Sequence, residues 1–469
     1  WEWIDQSIDT VKNGKRIEAY GGDFPLSGPV PENFSDNNFC VKGVVTAFRK
    51  MTPMAVEVRK VYQNIASALN GNILQITNKF FFKNLSNVRL NWEITENGKV
   101  VRSGIVSQLN VTPQQTTDVS LPLQYNQKEG KESFLNVHYV LKNAEPFLDK
   151  GCQIAYDQFP LNKSQLTKYS PDKKLAAHLL KNSNGYEVIG KGFAIWFDST
   201  RGKMMNYIFN GQQIVVSGPQ PSFWRAPTDN DIGAGFNKSL RMWRNVYDSS
   251  KLIETKAEIL NDKSILITFE KSLLNGDAIV TQSYQVFGDG SVKVAMNFNA
   301  IKGKYPLMMR VGNDLQISPE LSNISWYGRG PWESYRDRKS GSLVGLYNQT
   351  LDQQYFPYAR PLESGNKSDV RWYLVTDAKG NGLKFIFEDS LLNCEALPYS
   401  LDDLDPSPEK HQYHSGELEK RDTIFMHVDL QQLGVQGIDS WGAWPLKKYR
   451  IPFADHQYSY WMIPVKKVK

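Results

Sequence analysis

A mainly β chain of several domains is what this sequence predicts, on three observations. Apolar and polar residues alternate with a period of two over long stretches, as in Leu90, Trp92 and Ile94 set against Asn91, Glu93 and Thr95. Asn97-Gly98 and Asp289-Gly290 stand between such runs, and Asn, Asp and Gly tolerate the positive φ of a tight hairpin. At 469 residues the chain is also well past the roughly 250–300 at which a single hydrophobic core stops growing.

The first segment, residues 1–65, ends in a predicted helix. Thr52 is placed to cap it, Pro53 suits a first helical position whose N–H lacks a helical partner anyway, and Met54, Val58, Val61, Tyr62 and Ile65 recur at helical spacing. Ahead of it, residues 21–38 are crowded with Gly, Pro, Asn and Asp, the composition of a long irregular loop. Residues 66–162 read as short strands joined by turns, with Val100-Val101 resuming after Asn97-Gly98 and Leu135, Val137, Tyr139 and Leu141 alternating again. They fit a small immunoglobulin-like β-sandwich. Residues 163–184, rich in Lys, Ser and Asn and containing Pro171, read as a linker. From 185 to 469 the β signal persists, through Ile265, Ile267 and Phe269 and then Val292, Val294, Met296 and Phe298, and asks for a large β-sandwich. No repeat of fixed length appears.

Composition narrows the function. The chain is 41% hydrophobic and 12% aromatic, enough for packed cores and for rings that lie on sugar faces. Its net charge of +6 is spread among 49 acidic residues, without the basic run interleaved with aromatics that a nucleic-acid groove needs. No apolar stretch approaches the roughly 20 residues of a membrane span, so a soluble protein is expected, cytoplasmic or periplasmic. Trp1 opens the chain in what reads as the middle of a segment, and a longer polypeptide with its own leader is expected upstream. Cys40, Cys152 and Cys394, odd in number and far apart, argue against a disulfide framework and against zinc. Phosphate loops, dinucleotide fingerprints and Gly-x-Ser-x-Gly elbows are missing from the sequence.

Four stretches carry more information together than apart. They are Trp1-Glu2-Trp3-Ile4-Asp5-Gln6-Ser7 with Tyr20-Gly21-Gly22-Asp23-Phe24 and Asn38-Phe39-Cys40; Arg225-Ala226-Pro227-Thr228-Asp229-Asn230-Asp231-Ile232-Gly233; Tyr327 to Arg338; and Asp439-Ser440-Trp441. In this order, across almost the whole chain, they resemble the carboxy-terminal region of large bacterial β-galactosidases of glycoside hydrolase family 2. The resemblance implies three parts: the end of a (β/α)8 barrel, an immunoglobulin-like domain and a final galactose-mutarotase-like β-supersandwich. It also implies retaining hydrolysis of terminal β-galactosides. That chemistry needs two carboxyl groups about 5 Å apart, one as nucleophile and one as acid then base. In the family both lie on barrel strands before Trp1, so no catalytic residue is assigned here, and the chain alone is expected to be inactive. The expected partners are a β-galactoside or galactose, the missing amino-terminal part of the same polypeptide, and further copies in an oligomer.

The resemblance also implies substrate-binding positions. Trp1 matches an aromatic wall against the galactose ring, although as a bare residue it reads first as a barrel-core tryptophan. Gly328, Gly330 and Glu333 fall in a stretch that matches a mobile loop, with Arg336 and Asp337 as further polar groups. Trp441 matches an aromatic platform on the aglycone side. Phe39 matches a residue whose carbonyl coordinates sodium, but Lys42 stands where the family places an Asn ligand, and an ammonium has donors and no acceptor. No cofactor is therefore expected for this chain: a sodium site is not expected to form, and the family's magnesium site lies outside the chain. Arg225, Asp229, Asn230 and Asp231 read as turn-capping residues rather than a calcium loop. His411, His414, His427 and His456 read as satisfied or exposed histidines, and no histidine–carboxylate pair suited to mutarotase chemistry can be assigned from the sequence. A carbohydrate-binding sandwich without hydrolase activity is the alternative reading.

Overall fold

A computed structural model describes residues 2–23, 41–124, 130–163, 166–409, 412–436, 438–439 and 441–466. Trp1 and Phe39 lie outside these residues. The chain divides into two compact units, one made of Trp1–Met54, Leu166–Lys339 and Tyr347–Lys469, the other of Ala55–Gln165 and Ser340–Leu346.

The smaller unit is a β-sandwich. Strands Gln153–Pro160, Ser133–Leu141, Val88–Glu96 and Lys99–Val106 form one sheet in that order, and Ile65–Asn70, Ile73–Asn78 and Thr116–Ser120 form the other. Leu90, Trp92 and Ile94 point inward with Leu135, Val137 and Tyr139, as the period of two requires. Asn97 and Gly98, at φ 44° and 78°, make the two-residue turn between Glu96 and Lys99. A Cβ on Gly104 would come within 2.4 Å of the Trp92 ring, so this strand position accepts only glycine beside the indole. The helix runs Pro53–Val61, and Ile65, expected on its face, instead starts a strand opposite Asn78. Sheet pairing overrode the helical spacing there. The Thr52 hydroxyl donates to the Val44 carbonyl at 2.8 Å.

The larger unit holds two nine-stranded sheets. One runs His178–Asn182, Gly185–Gly190, Phe193–Asp198, Lys203–Phe209, Gln212–Ser222, Arg310–Ile317, Ile424–Gln432, Leu392–Leu397 and Lys367–Val370; the other runs Lys251–Ile259, Ile265–Leu273, Ala278–Val286, Val292–Ala300, His456–Val465, Gly382–Ile386, Trp372–Thr376, Asn323–Gly330 and Leu343–Thr350. Residues 178–182, read as linker, are an edge strand that pairs with Gly185–Gly190. Strict alternation of buried and half-buried residues along Ile265–Leu273 and Ala278–Val286 turns Ile265, Ile267, Phe269, Val280, Tyr284 and Val286 into the common core. Helices here are short, four or five residues each at Asp229–Gly233, Phe236–Ser239 and Leu401–Leu404. Within the same unit, Glu2–Ile4 pairs in parallel with Gly43–Val45, unlike the antiparallel ladders of the sandwich. Among the described residues no helix is long and apolar enough to cross a membrane.

Candidate functional site

Two of the stretches singled out in the sequence meet around one short segment, Gly434-Val435-Gln436. On one side stands Asp229–Gly233, a helix that begins with a capping box: the Asp231 N–H donates to Thr228 Oγ1 at 3.2 Å and the Thr228 N–H to Asp231 Oδ2 at 2.9 Å. Asp231 pairs with Arg225 at 3.0 Å, and neither side chain is accessible to water. Burial pushes the Asp231 carboxyl up, with the Arg225 charge opposing it. Arg225 Nη2 then donates to the Gly434 carbonyl at 3.3 Å, and Asn230 Nδ2 to the Val435 carbonyl at 3.1 Å.

On the other side Asp337 accepts the N–H groups of Val435 and Gln436 at 3.1 and 2.9 Å. A Cβ at position 434 would lie 2.4 Å from Asp337 Oδ2, so glycine there is a condition of the contact. Arg336 donates to Gln431 Oε1 at 3.0 Å and to the Lys448 carbonyl at 3.2 Å. Arg336 and Asp337, named as further polar groups of the loop, thus bond to Gln431, Val435, Gln436 and Lys448. Glu333 is likewise turned inward: it is 6% exposed, pairs with Arg338, and accepts the Gly365 N–H at 2.7 Å and the Ser364 hydroxyl at 3.1 Å.

Gly328 and Gly330 end the strand Asn323–Gly330, not a loop. Their lack of a side chain serves close packing, since a Cβ would fall 2.9 Å from Val370 Cα at position 328 and 2.6 Å from the Tyr347 ring at position 330. The turn that follows is closed by reciprocal backbone bonds between Tyr335 and Arg338, each 2.9 Å.

Trp441 is what this framework presents. Its ring is 91% exposed, and the turn carrying it is held by Asp439, whose Oδ1 accepts the N–H groups of Trp441 and Ala443 at 3.0 Å, with Gly442 at φ 121°. Trp444 differs, packing edge-on against Phe236 with centroids 5.1 Å apart. The first stretch reaches the same unit through Tyr20, which donates to the Tyr413 carbonyl at 2.9 Å, and Asp23, which meets His414. Lys42 Nζ lies 3.4 Å from Glu2 Oε1, an ammonium facing a carboxylate, and so does not fit the role of a cation ligand. Nothing in the sequence marks Gly434-Val435-Gln436 as the meeting point, because it takes part through its own backbone atoms and any sequence supplies those.

The model for the β-galactosidase small chain matches residues 189–463, more than half of the chain. The chain belongs to the β-galactosidase small-chain family. Ahead of the small-chain region, β-galactosidase domain 4 matches residues 74–162 and the TIM-barrel domain of glycosyl hydrolases family 2 matches residues 1–67. The order barrel, domain 4, small chain makes this the carboxy-terminal region of a family-two polypeptide. The chain is 30% identical to a β-galactosidase of Priestia megaterium, over 98% of the chain and 43% of that protein. It is 30% identical to that of Streptococcus thermophilus over 99% and 44%, and 31% identical to that of Lactobacillus delbrueckii subsp. bulgaricus over 94% and 42%. The chain therefore spans less than half the length of these relatives. A solved galactose 1-epimerase from Lactobacillus acidophilus aligns over 63% of this chain and all of its own, at 7% identity and a TM-score of 0.38.

Proposed function

We propose that this small-chain family member is the carboxy-terminal part of a retaining β-galactosidase, and that by itself it does not hydrolyse galactosides. The observation that carries the reading is the extent of the barrel match, residues 1–67, ahead of two β domains. A (β/α)8 active site is assembled at the carboxyl ends of eight strands, and the parallel pair Glu2–Ile4 with Gly43–Val45 is a fraction of such a barrel. The chain contributes scaffold and part of the substrate-site wall, with Trp441 as the ring against which the aglycone side rests. Its natural partner is then the amino-terminal part of the same polypeptide.

The test is turnover of a chromogenic β-galactoside by the purified chain, alone and mixed with the amino-terminal part of the Priestia megaterium relative. Activity is expected only in the mixture. Turnover by the chain alone, abolished by changing one of its own Asp or Glu residues, would sink the proposal. The exposure of Trp441 also favours a sugar-binding module without hydrolysis, and calorimetric titration of the chain with galactose distinguishes a binding wall from a pure scaffold.

A further inference from the structure

The outward face of one large sheet carries a row of polar groups, Glu395 buried and Gln220, Asp314 and His427 half-buried. Four adjacent strands align Gln220, Asp314, His427 and Glu395 directly opposite one another, Gln220 to Asp314, Asp314 to His427 and His427 to Glu395. Strands lie about 4.8 Å apart, so this row spans roughly 14 Å on one face. Its neighbours Met426, Val428, Cys394 and Ala396 point the other way into the core. Segments 243–248 and 399–404 flank the row and leave a partly open cavity of about 210 Å³ over it.

The walls of this cavity are built and fixed. Arg310, 1% exposed, lies 3.1 Å from Glu395 and 3.3 Å from Glu363, and its Nε is 3.1 Å from Asp429. A Cβ at Gly312 would fall 1.8 Å from Asp429 Oδ1, so the sheet admits this carboxylate by omitting a side chain. The covering segments are clamped by Arg241 on Asp405 at 2.7 Å and by Arg244 on Asp402 and Asp405. Trp243, Tyr399 and Phe425 add aromatic carbon to the lining. His427 Nδ1 and Gln220 Oε1 are left without hydrogen-bond partners in the structure. Polar atoms without protein partners are satisfied by water or by the hydroxyl groups of a ligand in the cavity.

The chemistry of the lining selects the ligand class. Burial, reinforced by the Glu363 charge, pushes the Glu395 carboxyl far up, and burial pushes Asp314 up to about 7. Burial, with the Arg310 charge, holds His427 well below the usual histidine range, so its ring is neutral with one donor and one acceptor nitrogen. The row therefore mixes donors and acceptors, and the charged groups lining the same cavity are of both signs, Arg244 and Arg310 against Asp248, Glu363 and Asp402. Among the described residues no group of three or more His, Cys, Asp or Glu side chains is arranged to hold a metal. The volume is below the roughly 300–1,000 Å³ of drug-sized sites. Hydroxyl groups both donate and accept, and the C–H face of a small saturated ring suits an aromatic wall.

We propose that the cavity over Gln220, Asp314, His427 and Glu395 binds one neutral polyhydroxylated ring, of monosaccharide size, at a site separate from Trp441. The assignment is independent of the hydrolase reading. It is tested by saturation-transfer NMR on the full chain with D-galactose, D-glucose and myo-inositol as probes, and ethanolamine and inorganic phosphate as contrasts, phosphate being read by its 31P line width because it carries no C–H protons. At least one polyol is expected to bind saturably, with affinity on the order of millimolar. Folded His427→Gln and Glu395→Gln chains are expected to bind about tenfold more weakly, and Gln220→Ala, at a half-buried position that tolerates truncation, about two- to tenfold more weakly. Phe82→Ala, at a fully exposed ring outside any site described, is expected to leave the affinity within about twofold. The proposal fails if none of the three polyols gives saturation transfer. It fails if ethanolamine or phosphate binds in their place, or if Trp441→Ala abolishes binding that Gln220→Ala leaves intact.

Discussion

His414 Nε2 lies 2.7 Å from Asp23 Oδ2, and through this contact the barrel-derived segment is held to the large sandwich. The other ring nitrogen, Nδ1, lies 2.6 Å from Glu417 Oε2, so a wholly buried imidazole stands between two carboxylates. Asp23 also accepts the Tyr20 N–H at 2.9 Å and the Gln412 amide at 3.0 Å. The Tyr20 ring meets His414 edge-on at 5.3 Å. This cluster explains how residues 2–23 keep a defined position without a closed barrel beneath them.

The attachment of residues 2–23 should have a pH optimum. Burial pushes Asp5 up to about 6, and burial with the Asp5 charge pushes Glu18 up to about 7. Both folded values exceed the unfolded values of about 4, so their stabilisation is complete below that pH and is lost as pH rises through about 6 to 7. Asp23 and Glu417 act the other way. Burial raises each, but hydrogen bonds from Tyr20, His414 and Gln412 on Asp23, and from His414 and Lys12 on Glu417, outweigh it and leave both lowered. Their contribution is present above about pH 4 and lost below it. Hydrogen-exchange protection of residues 2–23, corrected for intrinsic rates, is expected to peak near pH 5 and to fall by pH 8, with Glu18→Gln flattening the alkaline limb. Protection that climbs steadily from pH 5 to 8 would contradict the assignment.

Asp231→Ala removes one partner of a buried ion pair and leaves Arg225 uncompensated. A loss of about 3–5 kcal/mol is expected, because the remaining charge keeps its desolvation penalty. The double change Arg225→Met with Asp231→Leu should recover most of it. Thermal unfolding of the three variants checks the order; a single variant as stable as the parent would contradict the pairing.

Trp441→Ala should leave folding stability within about 0.5 kcal/mol, since the ring is 91% exposed. In the reconstituted enzyme it should weaken galactoside binding by about 0.5–1.5 kcal/mol, roughly two- to tenfold. Paired measurements of unfolding midpoint and KM separate the two effects. Equal KM values would remove Trp441 from the substrate wall.

Gly104→Val should destabilise the smaller sandwich by about 1–3 kcal/mol through overpacking against Trp92. Trp92→Leu in the same chain should return part of the loss, because the smaller side chain vacates the space. Urea midpoints of the single and double variants read this coupling directly.

Much of the architecture was legible in the sequence, because the period of two, the Asn97-Gly98 turn and the Pro53 helix start are local signals. Ile65 and residues 178–182 were misread for the opposite reason: their partners, Asn78 and the strand Gly185–Gly190, decide their conformation. The site was less legible. Four stretches could be named from residue type and order, yet whether Glu333 and Asp337 face solvent or other parts of the chain depends on Gly365, Ser364, Val435 and Gln436, whose relevant atoms are backbone or common hydroxyls.

By itself the sequence determined that this chain is mainly β, where its strands alternate, and which motifs place it with the β-galactosidase small chains. Only the tertiary structure decided that Arg225 and Asp337 share one support in Gly434-Val435-Gln436, and that Asp314, His427 and Glu395, distant in sequence, form one row across three strands. The reason is physical: alternation and turn chemistry act over a few residues, whereas strand order and register are chosen by burial of the whole core, and cross-strand neighbours exist only once that choice is made.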